Sequence, residues 1–396
     1  MAAPHSMCVL PTLCEATSLI GTSTSMTMPA GNSPEAAPPR TKSYPTPGQR
    51  AGCEPRLLTS PPGAEWDQVA RTTGNAHLGM ASHWFTAIKN AYGHRPLYFC
   101  AQDEDEATRV LLPSFLIRRW PLKGVVTSMP FLDAGGPAGH SAALLEAVLN
   151  RLVLEAETYN ASRVELRSLV QLDTSIRPSL EKVTLARSLP PDPDLLWRDL
   201  DSKVRNQIRK AERSGISIGV GGLDRLDEFY QVFAVNMRDL GSPVHSKRFF
   251  HHLLEGFGEA AQVLVARKDS LPVGGLIAVS FGDTRYVPWA STLRTHSALC
   301  PNMLLYWEAL RRACLDGMAR FDFGRSSRDS GTYRFKRQWG AEDIQLYWYT
   351  IPLQGARPAH ISRESRKWAL ISQAWSRLPV GLTRVIGPAI RRRLTQ

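Results

Sequence analysis

The stretch Phe321-Asp322-Phe323-Gly324-Arg325-Ser326, followed by Phe335-Lys336-Arg337-Gln338-Trp339-Gly340, decides how this chain is read. It predicts a short buried strand, a polar turn, and a helix that presents a lysine. A further helix is expected just upstream, Asn302 to Asp316, after a proline-bounded loop from Leu293 to Pro301. Loop, helix, strand and lysine-bearing helix, in that order, suit a cleft for a negatively charged acyl donor.

In the helix from Ser330, Tyr333 and Lys336 are three residues apart and share a face; Phe335 and Trp339 are four apart on another. The aromatics read as core, which leaves the lysine to point into a cleft. A fixed ammonium there can neutralise the oxyanion that forms when an amine attacks an ester or thioester carbonyl. Asp322 has two readings. It is a base or orienting group if burial raises its pKa, or it satisfies N–H groups of the turn.

Working outward, Asp201 to Gly215 reads as a capped helix with Val204, Ile208 and Ala211 on one face. Arg205 and Arg209 lie together beside that face, with Lys203, Asn206 and Lys210 nearby. Two guanidiniums in a row can grip a phosphate; the bland alternative is a solvated charged face. At the Asn302 helix start, unpaired N–H groups favour an anion, with Asn302 as the cap; a plain capped helix is the other reading. Ser128-Met129-Pro130-Phe131 with Asp133 to Pro137 is a loop. Its Gly135-Gly136 pair permits either a close ligand approach or a tight turn.

The 396 residues suffice for two domains plus tails. Six cysteines are scattered without a C-x-x-C pair, which argues against zinc and against a disulfide framework. The adjacent His251 and His252 are expected to face apart on a helix, so no metal site is expected. No run of about 18 apolar residues is present. The amino terminus has no Lys or Arg before Arg40, so a cytoplasmic protein is expected. The formal charge of +12 is concentrated: from Gly355 to Gln396 there are nine Lys/Arg against one Glu, a net +8. That favours acidic partners such as lipid headgroups or RNA, and disfavours DNA binding by the whole surface.

Residues 1–60 are rich in Ser, Thr, Pro, Ala and Gly and are expected to be a disordered tail. Residues 61–190 and 191–352 each read as helices, a strand meander, a loop, a helix and a strand, so two copies of one α+β unit are expected. Residues 353–396 read as basic amphipathic helices. There Trp368, Ile371, Trp375 and Leu378 form a stripe that fits either the protein's own surface or an anionic membrane, with Arg391-Arg392-Arg393 exposed in both cases.

Four of these motifs together resemble the FemAB-like proteins: Arg205-Asn206-x-x-Arg209-Lys210-Ala211, Ser128-x-Pro130 with Gly135-Gly136, the Phe321–Ser326 strand, and Phe335-Lys336-x-x-Trp339-Gly340. The nearest group is the one associated with PEP-CTERM/exosortase exopolysaccharide systems. The resemblance implies two tandem GNAT-like (acyl-CoA N-acyltransferase) domains with a cleft at their junction. The implied activity is acyl or aminoacyl transfer to an amine or hydroxyl of a cell-envelope, peptidoglycan or exopolysaccharide precursor. Acyl-CoA or aminoacyl-tRNA would be the donor, with no permanently bound cofactor. A lipid- or nucleotide-linked glycan would be the acceptor, with tRNA and the inner face of the membrane as further partners. Catalytic roles fall on Lys336, Asp322 and Tyr333. Substrate contacts fall on Lys203, Arg205, Asn206, Arg209, Lys210, Asn302, Gly324, Arg325, Ser326 and Trp339. Two departures stand out. Ser297-Ala298-Leu299-Cys300-Pro301 lacks the glycines of a coenzyme A loop, and Ile216 to Ala261 has no room for the helical arm of some bridging enzymes. The rival readings are a non-catalytic scaffold of the same fold that binds a glycan lipid or protein, and an RNA-binding module.

Overall fold

The computed structural model describes residues 55–58, 60, 62–73, 77–103, 109–139, 141–353 and 366–395. The first part of the chain forms β1 (Arg56–Leu58), α1 (Ala64–Thr72), α2 (His83–Tyr92), β2 (Arg95–Pro96), β3 (Tyr98–Gln102), β4 (Arg109–Leu112), β5 (Ser114–Arg119), β6 (Leu122–Ser128), α3 (Ala142–Thr158) and β7 (Ala161–Ser168). The next part forms β8 (Lys182–Ser188), α4 (Pro193–Asp199), α5 (Ser202–Arg213), β9 (Ile216–Gly221), α6 (Leu226–Asp239), α7 (Lys247–Phe257), β10 (Ala261–Lys268), β11 (Leu271–Phe281) and β12 (Thr284–Thr292). It ends with α8 (Pro301–Leu315), β13 (Arg320–Ser327), α9 (Gly331–Arg337), β14 (Glu342–Gln345), β15 (Tyr347–Pro352), α10 (Arg366–Ser376) and α11 (Val380–Arg391).

The helices begin where polar side chains supply the missing acceptors. Ser141 Oγ accepts from Leu144 N at 3.3 Å, and Ser246 Oγ accepts from Phe249 N at 3.1 Å. In α3 the buried residues Leu144, Val148, Leu152 and Ala156 recur every fourth position, the stripe that packs on a sheet. In β10, Val263 and Val265 point to one side of the sheet and Leu264 and Ala266 to the other, so both faces are covered.

Three sheets result. One has five strands in the order β15-β7-β6-β5-β2, one has seven in the order β14-β8-β13-β12-β11-β10-β9, and β1-β3-β4 form a small third. One apolar cluster lies between α3 and the five-stranded sheet. A second lies between the seven-stranded sheet and α5 and α8. The third is shared by the two halves: Trp84 and Phe85 of α2 meet Phe249, Phe250 and Phe257 of α7 and Trp289 of β12. Its aromatic rings pack at centroid distances of 5.2–6.3 Å, mostly edge to face. At its rim Tyr92 Oη lies 2.7 Å from His245 Nδ1.

The path of the chain departs from two self-contained repeats. Lys182–Ser188 lies before residue 190 yet pairs antiparallel with β13 and β14 in the seven-stranded sheet. Tyr347–Pro352 follows that sheet yet pairs antiparallel with β7 in the five-stranded one. Each half is therefore completed by a strand from the other. Periodicity could not show this, because it reports which residues are buried and not which sheet buries them.

The tails also differ from expectation. Residues 1–54 lie outside the described residues, but Arg56–Leu58, expected in a disordered tail, is a strand paired with β3. At the other end α10 and α11 pack on α6. Trp375 is buried while Ile371 is exposed, so the anticipated stripe is split; the side chain of Trp368 lies outside the described residues. Arg391, expected to be exposed, sets its Nε 3.0 Å from His245 Nε2 and its guanidinium over the Phe131 ring.

A core shared in this way should unfold as one unit. Phe249→Ala is expected to cost about 3–5 kcal/mol and to shift a single urea transition; separate transitions for the two halves would contradict the shared core.

Candidate active site

β13 runs parallel to β12 only from Thr284–Tyr286 opposite Arg320–Asp322. Beyond Asp322 its register against β8 slips by one residue, a bulge at Phe323-Gly324. Gly324 has φ +76°, a conformation that glycine adopts without a steric penalty. A Cβ there would lie 3.4 Å from Val287 O, 3.5 Å from Asp133 Oδ2 and 3.8 Å from Lys336 Nζ. The bulge turns β13 away from β12, so β12 beyond Tyr286 has an edge unpaired by β13.

The bulge orders two sets of groups. Its carbonyls, Gly324 O and Arg325 O, each accept from Lys336 Nζ at 2.8 Å. Its N–H groups meet carboxylates: Gly324 N donates to Asp322 Oδ1 at 2.6 Å, and Arg325 N donates to Asp133 Oδ2 at 3.0 Å. Thr184 of β8 also donates to Asp322 Oδ1 at 2.8 Å. The Arg325 guanidinium lies 3.2 Å from Asp133 Oδ1 and packs over the Trp348 ring. Trp348, on the exchanged strand β15, donates to Asp133 O at 3.1 Å.

Lys336 is 8 % exposed. Burial lowers its pKa to about 8, against the opposing pull of Asp133 and Asp322. Burial raises the Asp322 carboxyl to about 6, only partly offset by its bonds to Gly324 and Thr184. A cation that can lose its proton near neutrality thus sits beside a carboxyl that can gain one.

The other residues expected at the site are placed as follows. Ser330 caps α9, and Lys336 is in its last turn. Tyr333 does not turn to Lys336: its hydroxyl donates to Asp343 Oδ1 at 3.2 Å, beside the Arg328–Asp343 ion pair. Trp339 is fully buried in the core and its carbonyl accepts from Arg187, so it presents no surface to a substrate. Ser326 is buried with its hydroxyl toward Thr332 at 3.4 Å. Arg205 is spent on the preceding helix, donating to the carbonyls of Trp197, Arg198 and Leu200 at the end of α4. Arg209 lies over the Trp197 ring, while Lys203, Asn206 and Lys210 are exposed. Helix α5 packs on α8 and β9, and β9 is four strands across the sheet from β13. Asn302 is not a cap: α8 starts at Pro301 after a left-handed Cys300, with no side-chain cap. His251 and His252 do not face fully apart; both set Nδ1 within 3.8 Å of Glu255 on an exposed face of α7, where Arg248 Nε also approaches His252.

Asp133 was not among the expected site residues, and it is the first half's contribution. Its loop is held tightly. Met129 and Phe131 have φ 37° and 72°, and a Cβ on Gly135 would collide with Met129 and Ser128. Arg167, buried, donates to Leu132 O at 2.8 Å and to Thr395 O at 2.7 Å. Strained non-glycine residues cluster at working sites, but backbone angles are not legible in a sequence. The available signal was Asp133 next to Gly135-Gly136.

Comparison with known proteins bears on the fold that carries these residues. Residues 199–337 match the family model described as an acetyltransferase (GNAT) domain. No curated protein matches the chain. Among solved structures, FemX superposes with a TM-score of 0.59 at 12 % identity, over 75 % of this chain and 97 % of that one. A conserved protein of unknown function from Bacteroides thetaiotaomicron VPI-5482 gives 0.50 at 12 %, over 73 % and 97 %. A tandem GNAT protein from the clavulanic acid biosynthesis pathway gives 0.49 at 8 %, over 78 % and 99 %. The fold is α+β with two tandem GNAT-like domains, and the bulge, Lys336 and Asp322 lie in the second.

Gly324→Ala forces a side chain into the left-handed region and is expected to cost roughly 1–2 kcal/mol. Chemical denaturation measures it, and an unchanged midpoint would show that the bulge relaxes freely.

Proposed function

We propose that this chain is an acyltransferase that moves an acyl group from an activated thioester or ester to an amine or hydroxyl of a cell-envelope or exopolysaccharide precursor. One observation carries the reading: Lys336 is buried and clasped by two carbonyls at the point where β13 leaves β12, within the field of Asp322 and Asp133. The open β12 edge offers backbone groups to an extended, amide-bearing donor arm, in the manner of strand addition. A carbonyl seated beside Lys336 would develop negative charge as the acceptor nitrogen bonds to its carbon, and the ammonium stabilises that charge. Asp322 takes the proton released by the acceptor, and the donor's thiolate or alkoxide leaves.

An acyl-CoA-type donor is favoured over aminoacyl-tRNA. The domain match is to an acetyltransferase. The acceptor we propose is a lipid- or nucleotide-linked glycan. The association with PEP-CTERM/exosortase systems is part of the same proposal and rests on the sequence motifs.

The test is turnover of acyl-CoA, followed by release of free thiol, with amino-sugar acceptors. Lys336→Ala is expected to lower kcat by about 10²–10³ with the circular dichroism of the folded protein retained. Full activity in that variant would remove the reading, and donor binding without any turnover would favour the scaffold.

The pH profile separates the roles. A base at Asp322 must be deprotonated and a cation at Lys336 protonated, so the rate should rise through about 6 and fall through about 8. A rate that instead rises through about 8 would make Lys336 the base.

A further inference from the structure

The β5–β6 hairpin reads Arg118-Arg119-Trp120-Pro121-Leu122-Lys123. Trp120 is 81 % exposed, the most exposed of the large hydrophobic residues among those described, and Leu122 is 64 % exposed. Arg118 and Lys123 beside them are exposed as well. A lone exposed leucine needs no explanation. A tryptophan and a leucine together at a hairpin tip, between cations, have the amphipathic character of a bilayer interface.

Behind the hairpin lies a cavity of about 540 Å³. Lys89, Arg95 and Arg118 line it, Leu57 and Leu58 form an apolar wall, and no lining residue is acidic. His94 also lines it and feels the charge and backbone of Arg392, so the cavity lies near the end of α11.

Helix α11 is packed with its small residues inward. Its buried positions are Thr383 and Gly387, and a Cβ on Gly387 would sit 3.0 Å from Val244. Its bulk faces out: Val385 is 75 % and Leu382 45 % exposed. Arg392 and Arg393 are exposed, and residues 366–395 contain no Asp or Glu.

We propose that this flank docks on an anionic phospholipid bilayer, with Trp120, Leu122 and the outer face of α11 entering the interface and the basic cavity receiving a lipid phosphate. Charge selects the occupant. A second copy seated symmetrically would set arginine against arginine, and a nucleic acid would leave the exposed aliphatic residues Leu122, Leu382 and Val385 unused. The proposal is independent of the transfer reading.

The test is co-sedimentation of the full chain with phosphatidylcholine vesicles, with and without phosphatidylglycerol, at low and high salt. Wild type should pellet only with the anionic vesicles and less at high salt. Trp120→Ala/Leu122→Ser should lower partitioning at least about tenfold, and Arg118→Ala about fivefold, with unchanged circular dichroism, since these side chains are exposed. Three outcomes would overturn the proposal: wild type left in the supernatant, the double variant pelleting like wild type, or the double variant converting a dimer to a monomer. Inorganic phosphate, tested by calorimetry, serves as the soluble probe. If it saturates the cavity while vesicles do not bind, the site belongs to a free phosphate compound instead.

Discussion

The exchange of one strand between the halves is the constraint on which the rest depends. β8 supplies Thr184 to Asp322 and the ladder against which β13 bulges; β15 supplies Trp348 to Asp133 and Arg325. Without the exchange no backbone ladder among the described residues would join the two halves, and the apolar core they share is non-directional and tolerates sliding. Backbone ladders do not slide by less than a residue, and a one-residue slip inverts every side chain. The exchange therefore fixes the register in which the Asp133 loop reaches the Gly324-Arg325 backbone.

The site built at that meeting is costly to hold. Lys336 binds its proton less tightly in the folded protein than in the unfolded chain, where its pKa is 10.5. The shift corresponds to roughly 3 kcal/mol. Because the folded value lies below the unfolded one, that cost is present in full below pH about 8 and fades as pH rises toward 10.5. Asp322 acts in the opposite sense: its raised pKa costs stability above pH about 6, and the cost fades as pH falls toward 3.8. Two buried groups that both oppose folding near neutrality are poor structural devices and good chemical ones.

The carboxyl-terminal segment has a second kind of economy. Its Trp375 is buried, its Ser372 reaches Leu240 O, and Arg238 donates to Leu378 O, so α10 is tied to the end of α6. Arg391 and Thr395 then reach His245, Phe131 and Arg167, which belong to both halves. The segment is a strap across the junction as well as a bearer of charge. In α11 the buried positions are Thr383 and Gly387, which is why Leu382 and Val385 are left outward.

What the sequence alone determined was local. The alternation of helices and strands in each half, and the buried Phe321–Phe323 strand with a lysine helix after it, follow from periodicity. The α+β class follows from their order. The tertiary structure decided which of the marked residues work together. Arg205 and Trp339 both belonged to motifs read as substrate contacts, yet one is absorbed by the carbonyls of α4 and the other by the core. Asp133 carried almost none, yet its carboxylate joins the Arg325 backbone 192 positions along the chain. The physical reason is range. Propensity and periodicity act over one or two helical turns, whereas a cleft is assembled from groups whose proximity depends on strand pairing between distant segments. No residue type announces its partner strand.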